Sequence, residues 1–329
     1  MLWRRKDPGG RESGRPVRRW RWLAAILLVL AAVVLAIARA LFFDAPEEFW
    51  GQKGELVEVE VREVGSDSHY AAFELELASS ADYKVRGYLR VPRSRGRYPA
   101  VIVIGGTNTG RMAAELFTPE DPYVILGLDY PWDGPTQLSW WQFLVRVFAV
   151  RRAMLLTPSA VMLGADYLEG RDEVDMSRLV YAGASFGAQL ITVAGALDPR
   201  AGTVLIIYGG GDYAALLRTN LKLQPMWLRS ALARVGAWLV GPIEPLDYVG
   251  MIAPREAIII NGRRDERIPV SSVERLFEAA GEPKRLIWLD EGHIRAGRPE
   301  TIAPVLAAAS RALGEEDPGP ETKEERESR

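Results

Sequence analysis

The pattern of apolar and polar positions divides the chain into stretches of different character. From Leu23 to Ala38 the run LAAILLVLAAVVLAIA has no charged or polar side chain, and its apolar character continues to Phe43 with Arg39 as the one charge inside. As a helix rising about 1.5 Å per residue, 23–43 would reach roughly 30 Å, the thickness of a hydrocarbon core. The period then changes. Glu55–Val64 (ELVEVEVREV) alternates charged with apolar residues, which predicts a half-exposed strand. His69–Ala78 and Tyr83–Val91 repeat the alternation and predict an antiparallel start. Tyr98–Gly105 (YPAVIVIG) is continuously apolar, as expected of a parallel strand covered on both faces. Runs of the same kind follow at Tyr123–Leu128, Leu179–Ala182, Thr203–Tyr208, Ala257–Ile260 and Arg285–Leu289. Helical stretches lie between them at Gln137–Arg152, Pro158–Leu168, Phe186–Ala196, Val270–Ala280 and Pro299–Leu313, with Pro158 and Pro299 suited to first-turn positions.

Buried strands alternating with helices predict an α/β domain. It has a mostly parallel central sheet, antiparallel N-terminal strands and helices on both faces. Sites in such sheets form at the carboxyl ends of the strands. Tyr213–Val240 is an apolar insertion between two strands and predicts a helical cap at about 213–240. Gly314–Arg329 (GEEDPGPETKEERESR) has no large apolar residue and reads as a disordered acidic tail. The expected division is 1–22, a basic segment; 23–43, one transmembrane helix; 44–313, the α/β domain; and 314–329, the tail.

Charge sharpens the N-terminal reading. The 329 residues sum to −2, but residues 1–22 carry eight basic and two acidic side chains, so the rest of the chain sums to −8. A basic tract before an apolar run predicts a cytoplasmic N-terminus and an extracytoplasmic domain. Trp20, Trp22 and Trp50 flank the run as an aromatic belt does. Ala38-Arg39-Ala40 has the small-x-small form of a signal cleavage site, but the 16-residue apolar core and the long basic region favour an uncleaved anchor. The near-neutral total argues against nucleic-acid binding, which needs a basic field. There is no cysteine and there are two histidines, His69 and His293. Disulfides, a cysteine nucleophile and thiolate or multi-histidine metal sites are therefore excluded.

Three strand ends carry candidate chemistry. Gly183-Ala184-Ser185-Phe186-Gly187 joins an apolar strand to a helical stretch, the strand–turn–helix setting of a G-x-S-x-G nucleophile elbow. Asp265 follows the strand AIIIN and is placed to hold a histidine tautomer; Asp212, after the preceding strand, is the rival. His293, in LDEGH after the last strand, is placed to act as the general base, while His69 lies in the antiparallel region and reads as structural. The order is Ser185, Asp265, His293. After the strand YPAVIVI comes Gly105-Gly106-Thr107-Asn108-Thr109-Gly110, whose spacing fits neither G-x-G-x-x-G nor a P-loop.

With these motifs, residues 55–313 resemble the α/β-hydrolase superfamily, in the style of dienelactone hydrolases and acyl esterases. The resemblance implies acyl transfer to water from a small acyl substrate through an acyl-serine, with no cofactor and no metal. It also implies an oxyanion hole at Gly106, Thr107 and Phe186, although Ile104 stands where many relatives have a histidine. Trp132, Trp141 and Trp227, from the aromatic stretch 130–148 and the insertion, are expected to contact substrate as part of an aromatic roof. A prolyl-oligopeptidase-like peptidase shares the Ser–Asp–His order but has a propeller-length N-terminal region absent here. A non-catalytic binding scaffold is the reading from another class.

Overall fold

A computed structural model describes residues 22, 26–35, 47–116, 122–135, 138–295 and 297–314. The basic tract up to residue 21, part of the 23–43 run and the tail from residue 315 lie outside the described residues. The chain separates into two units, Met1–Asp44 and Ala45–Arg329. In the first, helix α1 (Ile26–Leu35) is apolar, with its side chains exposed from Ile26 to Val34. Its ten described residues are fewer than a membrane span requires.

The second unit is built on one nine-stranded sheet in the order β1-β2-β3-β5-β4-β6-β7-β8-β9. The strands are β1 (Leu56–Ser66), β2 (Tyr70–Ser79), β3 (Tyr83–Pro92), β4 (Tyr98–Ile104), β5 (Val124–Leu128), β6 (Val174–Ala184), β7 (Thr203–Ile207), β8 (Glu256–Gly262) and β9 (Lys284–Leu289). The first three pair antiparallel, β3 joins β5 antiparallel, and β4 to β9 are parallel. The helices are α2 (Glu47–Lys53), α3 (Ala113–Leu116), α4 (Trp140–Glu169), α5 (Phe186–Leu197), α6 (Tyr213–Asn220), α7 (Met226–Leu239), α8 (Pro245–Tyr248), α9 (Val270–Ala279) and α10 (Pro299–Gly314).

Every residue of β4 and β5 is buried because helices cover both faces. Val101 and Val103 point to the face packed by α3 and by Val305, Ala308, Ala309 and Ala312 of α10. The alternate residue Ile102 meets α4, where a Cβ added at Gly164 would lie 2.9 Å from Leu128 and 3.7 Å from Ile102. The period-2 alternation of one strand therefore feeds two separate layers.

One expectation fails here. The two helices predicted at Gln137–Arg152 and Pro158–Leu168 are one 30-residue helix, α4, and Pro158 lies inside it rather than in a first turn. An interior proline removes a hydrogen bond and costs about 3 kcal/mol. The flanking residues offset that cost: Leu155 through Leu163 are almost wholly buried, the Thr157 hydroxyl donates to Ala153 O, and the Ser159 hydroxyl donates to Phe49 O of α2. The helix starts at Ser139, which forms a capping box with Gln142. Within α4, Val145–Glu169 is long and apolar enough to cross a membrane, but 67% of its most apolar window is buried in the domain.

Candidate active site

The strand β6 runs through the middle of the sheet and ends in the turn that carries Ser185. That residue has φ 55° and ψ −117°, a conformation rare for a side chain other than glycine. The turn is held by what surrounds it. Ser185 N donates to Ile207 O of β7 at 2.8 Å, and Ala188 N donates to Ser185 O at 3.0 Å. A Cβ at Gly187 would lie 2.4 Å from Ile104 O, and one at Gly183 would lie 2.5 Å from the Ile191 side chain and 2.6 Å from Gly187 O. Both glycines are thus needed to bring β4, β6 and α5 together. Ser185 is half-buried, and α5 begins at the next residue. The first N–H groups of that helix have no partner within the helix and favour negative charge.

Two further loops meet Ser185 from 80 and 108 positions downstream. Ser185 Oγ lies 2.8 Å from His293 Nε2, and His293 Nδ1 lies 2.7 Å from Asp265 Oδ2. The His293 and Asp265 side chains are 2% and 1% exposed, so the hydrogen bond between them is shielded from water. The other carboxylate oxygen of Asp265 accepts from Arg267 N at 2.7 Å and Ile268 N at 3.0 Å, which fixes its orientation. Tyr208, directly after β7 with φ 52°, sets its ring edge-on to His293 at 5.5 Å and 86°. Burial, then the negative charge of Asp265, pushes its hydroxyl up to about 12. Asp212 is engaged elsewhere: it caps α6 through Ala215 N and pairs with Arg275. His69 is exposed in the β1–β2 turn, where its N–H donates to Asp67.

The His293 loop has a fastener that sequence reasoning missed. Glu266 accepts from His293 N at 3.3 Å and from Arg295 Nη2 at 2.8 Å. The hydrogen bond from Arg295 holds the Glu266 carboxyl down at about 2. A lowered pKa stabilises the fold fully above the unfolded value near 4.5, and the contribution is lost progressively as pH falls from there through about 2. The pin is therefore constant across neutral pH. Glu266→Gln is expected to lower kcat about tenfold with KM unchanged, because in the general-base role expected of His293 a small displacement has a large effect on proton transfer. Steady-state kinetics check this; an unchanged kcat would remove Glu266 from the positioning role.

The Gly105–Gly110 turn stands across from the elbow. A Cβ at Gly106 would lie 3.6 Å from Ser185 Cβ and 3.9 Å from its Oγ, so Gly106 borders the hydroxyl. Thr107 is exposed beside it, and Phe186 supplies the first N–H of α5. Tyr130 ties the two sides together: its hydroxyl donates to Gly105 O and its ring packs 5.4 Å from Phe186. Its place immediately beyond β5, at the carboxyl end of the sheet, was the signal that could have found it. The far end of the turn is fastened by Asp129, which accepts from Arg111 N and Arg111 Nη1, both at 2.8 Å.

The three tryptophans expected to contact substrate differ in burial. Trp132 is half-buried and donates to Pro135 O at 3.1 Å, but Trp141 and Trp227 are 60% and 71% exposed. Both stand in the first turns of their helices, α4 and α7. A groove of about 680 Å³ lined by Tyr98, Arg178, Thr203 and Glu256 lies at the opposite, N-terminal ends of the parallel strands.

No family model matches the chain. An uncharacterized protein of Escherichia coli K12, YfhR, is 26% identical over 238 residues, spanning 69% of this chain and 75% of its own length. Among solved structures, the acetyl xylan esterase of Paenibacillus sp. R4 superposes with TM-score 0.62 at 13% identity, covering 80% of this chain and 92% of its own. Acetyl xylan esterase 1 of Thermoanaerobacterium sp. JW/SL YS485 gives 0.57 at 18%, covering 80% and 93%. An alpha/beta hydrolase, GrgF of Penicillium sp. sh18, gives 0.52 at 17%, covering 74% and 98%. Agreement of backbone at such low identity is agreement of fold, and the chain has the fold of the α/β-hydrolases.

Proposed function

We propose that this chain is a serine hydrolase that cleaves a carboxylic ester or thioester through an acyl-serine. The observation that carries the reading is the hydrogen-bonded line from Ser185 through His293 to Asp265, set on a strained serine at the head of a helix. In this reading His293 Nε2 takes the Ser185 proton as Oγ attacks the acyl carbonyl. The oxyanion forms between the Gly106–Thr107 backbone and Phe186 N. His293 then returns the proton to the leaving alcohol or thiol. Water, activated by the same imidazole, releases the acyl group and restores Ser185. Two of the fold neighbours are acetyl xylan esterases, which supports an ester as the substrate class.

The chain is further proposed to be held at a membrane by residues 23–43, with the basic residues 1–22 cytoplasmic and the hydrolase domain outside. The uncharged run 23–38 and the exposed apolar surface of α1 support this. A fluorophosphonate probe tests the chemistry. It is expected to label the full chain stoichiometrically at Ser185, with esters and thioesters turned over and peptide amides not. A folded chain that resists the probe would be a binding scaffold instead, and preferential cleavage of amides would make it a peptidase.

A further inference from the structure

The first turns of α4 and the helix α7 leave the carboxyl ends of β5 and β7, so both stand at the same end of the sheet as Ser185. They are joined where Arg151 Nε donates to Leu239 O at 2.6 Å. Between them they expose Phe143, Val145 and Phe148 on α4 and Met226, Trp227 and Leu232 on α7. Ordinary water-facing helices do not present large apolar side chains in this density. The charge is equally one-sided. Residues 139–156 and 213–240 contain seven basic residues and no acidic one, in a chain that sums to −8 after residue 22. Arg146, Arg152, Arg218, Lys222 and Arg234 among them are exposed.

We infer that this face docks on an anionic lipid surface, its aromatic and methionine side chains entering the interface while the arginines and lysine meet headgroups. Aromatic residues interleaved with basic ones, without acids, match the chemistry of a bilayer interface. A second copy of this chain fits poorly, because a two-fold contact would press the five exposed positive charges against the same five of its partner. Each basic residue near an anionic surface strengthens partitioning about fivefold. Docking in this way would turn the end of the sheet that carries Ser185 toward the lipid, so a hydrophobic acyl substrate would have little water to cross. The docking itself depends on neither the acyl-serine chemistry nor the N-terminal anchor.

The lack of cysteine permits a clean test. Single cysteines are introduced in the full chain as Trp227→Cys, Phe148→Cys and, as a control on β1 at the edge of the sheet, Val57→Cys. Each is labelled with a nitrobenzoxadiazole fluorophore and mixed with vesicles of phosphatidylcholine alone or with phosphatidylglycerol added. Emission at 227 and 148 is expected to rise and shift to the blue with phosphatidylglycerol, while 57 stays aqueous. Arg146→Glu combined with Arg234→Glu should weaken docking at least about 25-fold, and Ser185→Ala should leave it intact. Aqueous emission at 227 and 148 on anionic vesicles would overturn the inference. So would an equal rise at 57, or a rise that depends on protein concentration without lipid, which marks contact between copies.

Discussion

Ser185→Ala is expected to lower kcat for ester hydrolysis by about 10,000-fold or more, with little change in KM and no loss of fold. The size follows from what the hydroxyl does. In the proposed mechanism no acyl-enzyme forms without Oγ, and His293 is left to activate water directly against an acyl group poised for a different attack. The proposed oxyanion donors at Gly106 and Phe186 remain, so some acceleration over solution should survive. The fold should tolerate the change because Ser185 holds its turn through its backbone N and O, not through its side chain. Alanine does not relieve the φ of 55°, so the strain of the turn persists in the variant. Kinetics on short acyl esters, with circular dichroism as the control for folding, make the measurement. Turnover within about tenfold of the parent would remove the hydroxyl from the chemistry.

The elements were legible where burial on both faces leaves a continuous apolar run. β4, β5, β7 and β9 fall within one residue of their expected ends for that reason, and β8 runs two residues past its expected end. β6 was harder, since Val174–Arg178 (VDMSR) mixes polar with apolar residues and extends the strand before its apolar core while pairing with Tyr98 and Pro99. Pro158 is a local breaker that divides α4 into two helices in the sequence pattern, and only the packing around it shows that the helix continues. The short helix α2 gave no period to read; it is held by the burial of Phe49 and by Ser159, 110 positions away.

The site divides along the same line. Ser185 and its glycines announce themselves locally, because a tight strand-to-helix turn restricts side chains over five adjacent positions. Asp265 and Asp212 look alike in sequence, each an acid in the loop beyond a buried strand, and what separates them is which one the distant His293 reaches. Glu266, Tyr130 and Tyr208 act only through contacts made across the fold, on a histidine loop, a glycine turn and an imidazole face. Such residues have no local pattern to betray them. The exposure of Trp141 and Trp227 was hidden for the opposite reason: apolar periodicity tells which residues could be buried, not whether a neighbour arrives to bury them.

Asp265→Asn should lower kcat about 10,000-fold, and the hydrogen bonds around the carboxylate explain why. Oδ1 accepts from two backbone N–H groups, of Arg267 and Ile268, while Oδ2 faces His293 Nδ1. An asparagine keeps its oxygen on the two donors, since the reverse would set its NH2 against them. Its NH2 then faces His293 Nδ1, which must accept rather than donate. The ring proton moves to Nε2, the nitrogen 2.8 Å from Ser185 Oγ. In that tautomer the imidazole has no lone pair for the serine proton, and the nucleophile is not activated. Fluorophosphonate labelling should slow by a similar factor, because it draws on the same proton transfer, whereas KM should hardly move. Asp212→Asn is the matched control. It weakens a helix cap and the Arg275 pair at a cost of about 1 kcal/mol, and it should leave kcat within about threefold, since its side chain is engaged by Ala215 N and Arg275 rather than by His293. If the two variants exchange these outcomes, the orienting acid is Asp212 and the loop carrying Asp265 moves away from His293 during turnover.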